Sequence, residues 1–246
     1  MPASDRKFTS VWSRPARPER STLTREQIVT EAIALLDAEG IDALSMRKLA
    51  ARLQSGATSL YWHVANRDEL IQLVIDQIYG EVEIPDPGDV ADWRAAMSRF
   101  GHSVRAGVHR HPWLVSVLDN IVAASMGPNL MKITESSVTL LTRAGFDLRE
   151  AERVMSTVSA YTLGVAISEA AYLTWMDRTD EAQLREELKA AMASAEDHPI
   201  VHELYSSYSD VDVHDVNKTM DADFEYGLER LLDGIASRLD TLSPEP

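Results

Sequence analysis

Between Leu23 and Gly80 the chain is punctuated as four helices in roughly sixty residues, and so dense a set of starts and stops admits few folds. Thr24, with Gln27 three positions on, forms a capping box in which a hydroxyl and an amide side chain satisfy the free amides of a helix start. Ile28, Ala32, Leu35 and Leu36 follow at helical spacing, and Gly40 supplies a stop. A second short helix starts at Ser45 and turns Leu49 and Leu53 inward. After the break Gln54-Ser55-Gly56, a third begins near Ala57 or Thr58 and sets Leu60 and Val64 on one face. Asn66 with Glu69 then caps a longer helix striped by Leu70, Val74, Ile75 and Ile78. Leu44 to Val64 thus has the form of a helix-turn-helix, whose apolar side needs the floor that Ile28, Ala32 and Leu36 provide.

With Leu60 and Val64 committed to that core, Thr58, Ser59, Tyr61, Trp62 and His63 lie on the flanks and outer side of the third helix. Large aromatic rings are costly to leave in water without a partner. In a DNA major groove hydroxyls reach base edges or phosphates, and rings pack on sugars and thymine methyls. A buried aromatic cluster under a second domain is the alternative for the same residues. Charge points toward DNA as well. Residues 1–68 hold ten Lys and Arg against eight Asp and Glu, whereas 69–246 hold fourteen against thirty-one. The basic end suits phosphate, and the acidic remainder is repelled by it. Residues 1–22, rich in Arg, Pro and Ser, show no apolar periodicity and read as a flexible basic arm that either tracks DNA or is an inert tail.

The remainder also reads as helices. Ile84-Pro85-Asp86-Pro87-Gly88 breaks the chain firmly, giving expected units at 23–83 and 89–242. Trp93, Met97, Phe100, Val104 and Val108 recur at helical spacing, and Pro112 suits the first turn of a helix running through Trp113, Leu114, Val117 and Ile121. A further helix follows the break at Gly127-Pro128 and ends at Gly145. Asp147 with Glu150 caps a long one reaching about Trp175. A charged, Ala-rich helix over 180–195, a short one from Pro199, an acidic loop from Ser206 to Asp215 and a last helix through Phe224, Leu228, Leu232 and Leu239 complete the reading. No stretch alternates as a strand would, so the expected fold class is all-α.

Several classes are disfavoured. No apolar run approaches the ~20 residues of a membrane span. Met1 to Trp12 lacks a secretory pattern and the chain has no cysteine, which together fit the cytoplasm. His198 and His202 are four apart and His109 and His111 two apart, yet neither pair has the further ligands of a metal motif. No phosphate loop or nucleophile elbow is present, so no enzyme, metal or cofactor is expected. A purely structural helical oligomer leaves the outward Trp62 unexplained.

Leu23 to Ile71 resembles the DNA-binding domain of the TetR family of transcriptional regulators. The residues that carry the likeness are LTREQIVTEAIALLDAEGIDALSMRKLAARL and, most specifically, TSLYWHVANRDELI. A weaker likeness to the C-terminal domain of the family's tetracycline repressors lies in Asp92-Trp93, in RAGFDLREAERVMSTVSAYTLGVAISE and in FEYGLERLLDGI. The resemblance implies a repressor that binds a double-stranded DNA operator as a homodimer and leaves it when a small-molecule effector arrives. It implies an intersubunit bundle built from about 147–176 and 221–240. By position it implies DNA contacts from Arg47, Lys48, Thr58, Ser59, Tyr61, Trp62, His63 and Arg67. Since Ala57 to His63 holds no Arg, Asn or Gln, Arg47 is the expected guanine reader. The family places a glycine where Gln54 stands, and Gly56 is a candidate to take over the tight position. Tetracycline repressors hold a magnesium–drug complex partly through two histidines; Glu83 and Val117 or Leu118 stand at the matching places, which argues against that ligand.

Effector candidates are Phe100, Trp113, Tyr161, Glu169, Tyr172 and Trp175, large or polar side chains on the helices of the second unit. Glu169 shares a side of an apolar helix with Val165 and Tyr172, where a carboxylate must be paired, hydrogen-bonded or protonated. It meets either an Arg or backbone donor of a partner subunit at a dimer seam, or an effector in the cavity.

Overall fold

The computed structural model describes residues 23–117, 127–195, 197–207 and 216–242. Among the described residues there are ten α-helices and no strand: α1 Arg25–Glu39, α2 Met46–Arg52, α3 Ala57–His63, α4 Arg67–Tyr79, α5 Trp93–Arg110, α6 Pro128–Arg143, α7 Leu148–Arg178, α8 Glu181–Ser194, α9 Pro199–Ser207 and α10 Val216–Leu242. The helix starts follow their caps. Thr24 Oγ1 accepts from the Gln27 amide at 3.2 Å while Gln27 Oε1 accepts from the Thr24 amide at 2.9 Å. Ser45, Asn66 and Asp147 each accept from the amide three residues on.

The first apolar core gathers Ile28, Leu35 and Leu36 of α1, Leu49 of α2, Leu60 of α3 and Leu70 and Val74 of α4, all essentially sealed from solvent. It does not stop at the loop after α4, for Val108, Trp113, Leu114, Val117, Ala166 and Ala170 belong to the same cluster. A second core joins Met97 and Phe100 of α5, Ile133 and Leu141 of α6, Val154 and Val158 of α7 and Phe224 and Leu228 of α10. The long α7 runs against α5, α6 and α10 and so serves both cores.

Two local readings change. The helix expected from Pro112 is a 3-10 turn, Pro112–Val117, in the described residues, and Ile121 lies outside them. Ser206 and Ser207 still belong to α9, while the remaining acidic loop and the arm 1–22 lie outside the described residues.

In the helix-turn-helix, Gly56 does not take over the tight position. Its φ is −74°, whereas Gln54 itself adopts a φ of +50°. The left-handed region places Cβ against the following carbonyl, at a cost of about 1–2 kcal/mol for a non-glycine residue. Gln54→Gly is therefore expected to stabilise the protein by about 1 kcal/mol, read from the urea midpoint. A loss of stability would show that the Gln54 side chain contributes more than its backbone costs.

Candidate nucleic-acid interface and effector cavity

One turn of α3 buries Leu60, and the chain leaves the helix through buried Val64, so the outward face follows by geometry. Tyr61 is 45% exposed and Trp62 66%, the two largest outward rings of this region. Thr58 is exposed beside them, and Ser59 and His63 are half-buried on the flanks. The carbonyl of His63 accepts from Arg25 Nη2 at 3.3 Å, which ties the end of α3 to the start of α1.

The basic residues separate into different tasks. Arg47 is exposed and forms no hydrogen bond or ion pair within the described residues, so its guanidinium is available to a ligand. Lys48 pairs with Glu39 at the end of α1, and Arg52 pairs with Glu31. Arg67 is half-buried and uses two of its donors within the chain. Its Nε donates to the Leu44 carbonyl at 3.2 Å and its Nη2 to the Ile41 carbonyl at 3.1 Å. These bonds buckle α4 onto the loop that leads into α2, and so fix the pitch of the helix-turn-helix.

Between α4, α5, the Pro112–Val117 turn and α7 lies a cavity of about 490 Å³, counted to its open mouth. Ile75, Ile78, Tyr79 and Val82 form one wall. Val104, Gly107 and Val108 of α5 face them, and Leu114, Leu163 and Ile167 close the space. None of the six expected effector residues is in that lining. Phe100 is packed in the second core, and the Tyr161 hydroxyl donates to the Phe224 carbonyl at 2.9 Å. Tyr172 and Trp175 lie together, ring centroids 5.7 Å apart, on the exposed end of α7.

Glu169 is buried and fully engaged within its own chain. Arg105 Nε and Nη2 donate to its two oxygens at 2.7 and 3.0 Å, and His109 Nε2 lies 2.9 Å from Oε2. Arg105 Nη1 also reaches Asp221 at 2.6 Å, and the guanidinium sits 4.8 Å from the centre of the Phe224 ring. Burial pulls the Arg105 pKa down, but the hydrogen bonds and charges of Glu169 and Asp221 outweigh it and hold the guanidinium above its ordinary value. Sequence reasoning isolated the carboxylate and missed the arginine one helix away.

Trp113 sits at the joint between the two halves. Its Nε1 donates to Asp37 Oδ1 at 2.7 Å, and the same oxygen lies 2.7 Å from His111 Nδ1. His111 Nε2 is 3.3 Å from Glu81. A second polar joint holds α4 to α6. Asp76 accepts from the Asn129 and Leu130 amides at 3.1 and 3.3 Å and from the Asn129 side chain at 3.0 Å. Burial raises the Asp76 carboxyl above its usual value against the pull of those bonds. A Cβ at Gly127 would stand 2.0 Å from Asp76 Oδ1, so this approach requires glycine. Among the described residues no group of three or more His, Cys, Asp or Glu side chains could hold a metal, and no helix is long and apolar enough to cross a membrane.

A three-helix floor presenting an aromatic helix, packed through α4 against an all-helical unit with an apolar cavity, defines a helix-turn-helix regulator. The chain belongs to the TetR family. Residues 28–74 match the model of bacterial regulatory proteins of the tetR family, and residues 84–239 match the tetracyclin repressor-like C-terminal domain. The chain is 35% identical over 186 residues to an HTH-type transcriptional regulator of Saccharopolyspora erythraea, covering 75% of this chain and 78% of the relative. It is 32% identical over 228 residues to the HTH-type transcriptional repressor DrrR1 of Streptomyces coeruleorubidus, covering 90% and 80%. The crystal structure of the Streptomyces coelicolor TetR family protein ActR in complex with actinorhodin superposes with a TM-score of 0.70 at 31% identity, covering 88% of this chain and 97% of that one.

Proposed function

We propose that this protein is a cytoplasmic transcriptional repressor that binds a roughly palindromic operator as a homodimer and leaves it when a small molecule fills the cavity. The observation that carries this reading is the course of α4. Its Leu70 and Val74 pack into the helix-turn-helix core, and Ile75, Ile78 and Tyr79 wall the cavity. A ligand that shifts the wall therefore shifts the seat of α3, and a packed interface changes by discrete displacement rather than by yielding. The relatives support a regulatory role, and ActR is a family protein seen with a small molecule bound. The dimer reading is supported by α7, where exposed Ser156, Ala160, Gly164 and Ser168 form a row of small side chains at four-residue spacing. Tyr226 of α10 is 65% exposed, which suits the second helix of a two-fold bundle.

The test is a mobility shift with duplexes selected from the protein's own promoter region. A retarded dimer complex on half-sites about one helical turn (~34 Å) apart, weakening steeply with salt, is expected. Affinity no better than for random duplex overturns the reading. In the same assay Arg47→Ala is expected to relax preference at one base pair per half-site by about 1–3 kcal/mol. A loss that is uniform across sequences assigns Arg47 to phosphate instead.

A further inference from the structure

We infer that the effector is a neutral, predominantly apolar molecule carrying one hydrogen-bonding oxygen, enclosed by aliphatic walls and met by Tyr79. The inference rests on reading the cavity as the effector site, and it adds the chemical class. Ile75, Ile78, Val82, Val104, Val108 and Ile167 offer a ligand no polar side-chain atom. An ionised group brought among them loses its hydration and finds no compensating partner, so charge is excluded by the lining itself. Glu169 of α7 is held by Arg105 and His109, and Asp76 of α4 by the Asn129 and Leu130 amides and the Asn129 side chain, so neither buried carboxylate is free to neutralise a cation. The lining therefore suits a neutral ligand.

Two features narrow the class further. Five of the wall residues, Ile75, Ile78, Val104, Val108 and Ile167, are β-branched and helical, which restricts their side-chain rotamers. Short of its open mouth the enclosed space is only about 40 Å³, so a ring-bearing ligand seats itself by moving the walls apart, α4 among them. Tyr79 is the one lining side chain with a hydrogen-bonding group, and its hydroxyl forms no hydrogen bond within the described residues. Burial raises its pKa above the ordinary value, which keeps it a neutral O–H donor suited to a carbonyl, ether or hydroxyl oxygen. Gly107 marks the depth of the space. A Cβ built there meets no atom within 4 Å, so α5 leaves open space at this point and a bulkier side chain would occupy it.

Three matched probes test this on the full-length protein by calorimetric titration: 2-acetylnaphthalene, its alkene isostere 2-isopropenylnaphthalene, and 2-naphthoate. The ketone is expected to bind at least fivefold more tightly than the alkene, and the carboxylate at least twentyfold more weakly than the ketone. Tyr79→Phe removes the preference for the ketone and leaves the alkene unchanged. Gly107→Leu weakens both neutral probes at least tenfold while the protein still shifts its operator, which shows that the fold is intact. The inference is overturned if naphthoate binds as well as the ketone, if neither neutral probe binds, if Tyr79→Phe keeps the preference, or if Gly107→Leu leaves binding unchanged. Any of these results with normal operator binding leaves the regulator reading standing, whereas failure to bind operator at all removes that reading and this inference with it.

Discussion

Alanine at both Tyr61 and Trp62 lowers operator affinity by about two orders of magnitude, roughly 2–4 kcal/mol, without lowering the thermal midpoint. Both rings stand on the far side of α3 from Leu60, Trp62 66% and Tyr61 45% exposed, and neither belongs to the apolar core. In a groove they exchange water for sugar and base surface, at roughly 25 cal/mol for each Å² of apolar area covered. No neighbouring side chain of α3 offers a bidentate base contact to replace them. Fluorescence anisotropy with the selected operator, paired with a thermal melt, separates the two effects. A loss below threefold, or a loss that merely follows a lowered midpoint, would remove α3 from the DNA surface.

Arg105→Met is expected to cost about 3–5 kcal/mol of folding stability, the largest effect of any single change considered. The pair it breaks is closed off, with the Arg105 and Glu169 side chains 10% and 7% exposed. Without the guanidinium the carboxylate keeps only His109 inside an apolar wall. Most of the loss is the penalty of that stranded charge, and not the worth of the bond itself. Adding Glu169→Leu should therefore restore the greater part of the stability, because a well-packed apolar pair is comparable with a buried ion pair. Urea denaturation of both single variants and the double variant closes the cycle. If the double variant is as unstable as Arg105→Met alone, the burden lies in shape and not in charge.

Much of this architecture was legible because capping chemistry is local. Thr24 with Gln27, Ser45, Asn66 and Asp147 announce their helices within four residues, and each forms the expected bond. The outward face of α3 was equally readable once Leu60 was assigned to the core. Arg67 was not, because its partners at Ile41 and Leu44 lie 26 and 23 residues back and leave no pattern near it. Gln54 hid its strain behind Gly56, since the left-handed position is imposed by how α2 and α3 meet. The cavity was least visible of all. Reasoning from large or polar side chains selected Phe100 and Trp113, which fill the core and clasp Asp37. A hollow is instead lined by ordinary Ile and Val, and its one local signal was a glycine, Gly107, in the last turn of an amphipathic helix.

The first apolar core continues past the Pro-rich break at Ile84–Gly88 and takes in Val108, Trp113, Leu114 and Ala166. A break in the chain is thus not a break in the melting unit. The DNA-reading half has no complete floor of its own, because part of the surface that seals α4 comes from the other half. Exchanging the second half at that loop would leave Leu73, Ile75 and Ile78 facing a different counter-surface, so a new sensor needs matching changes along α4.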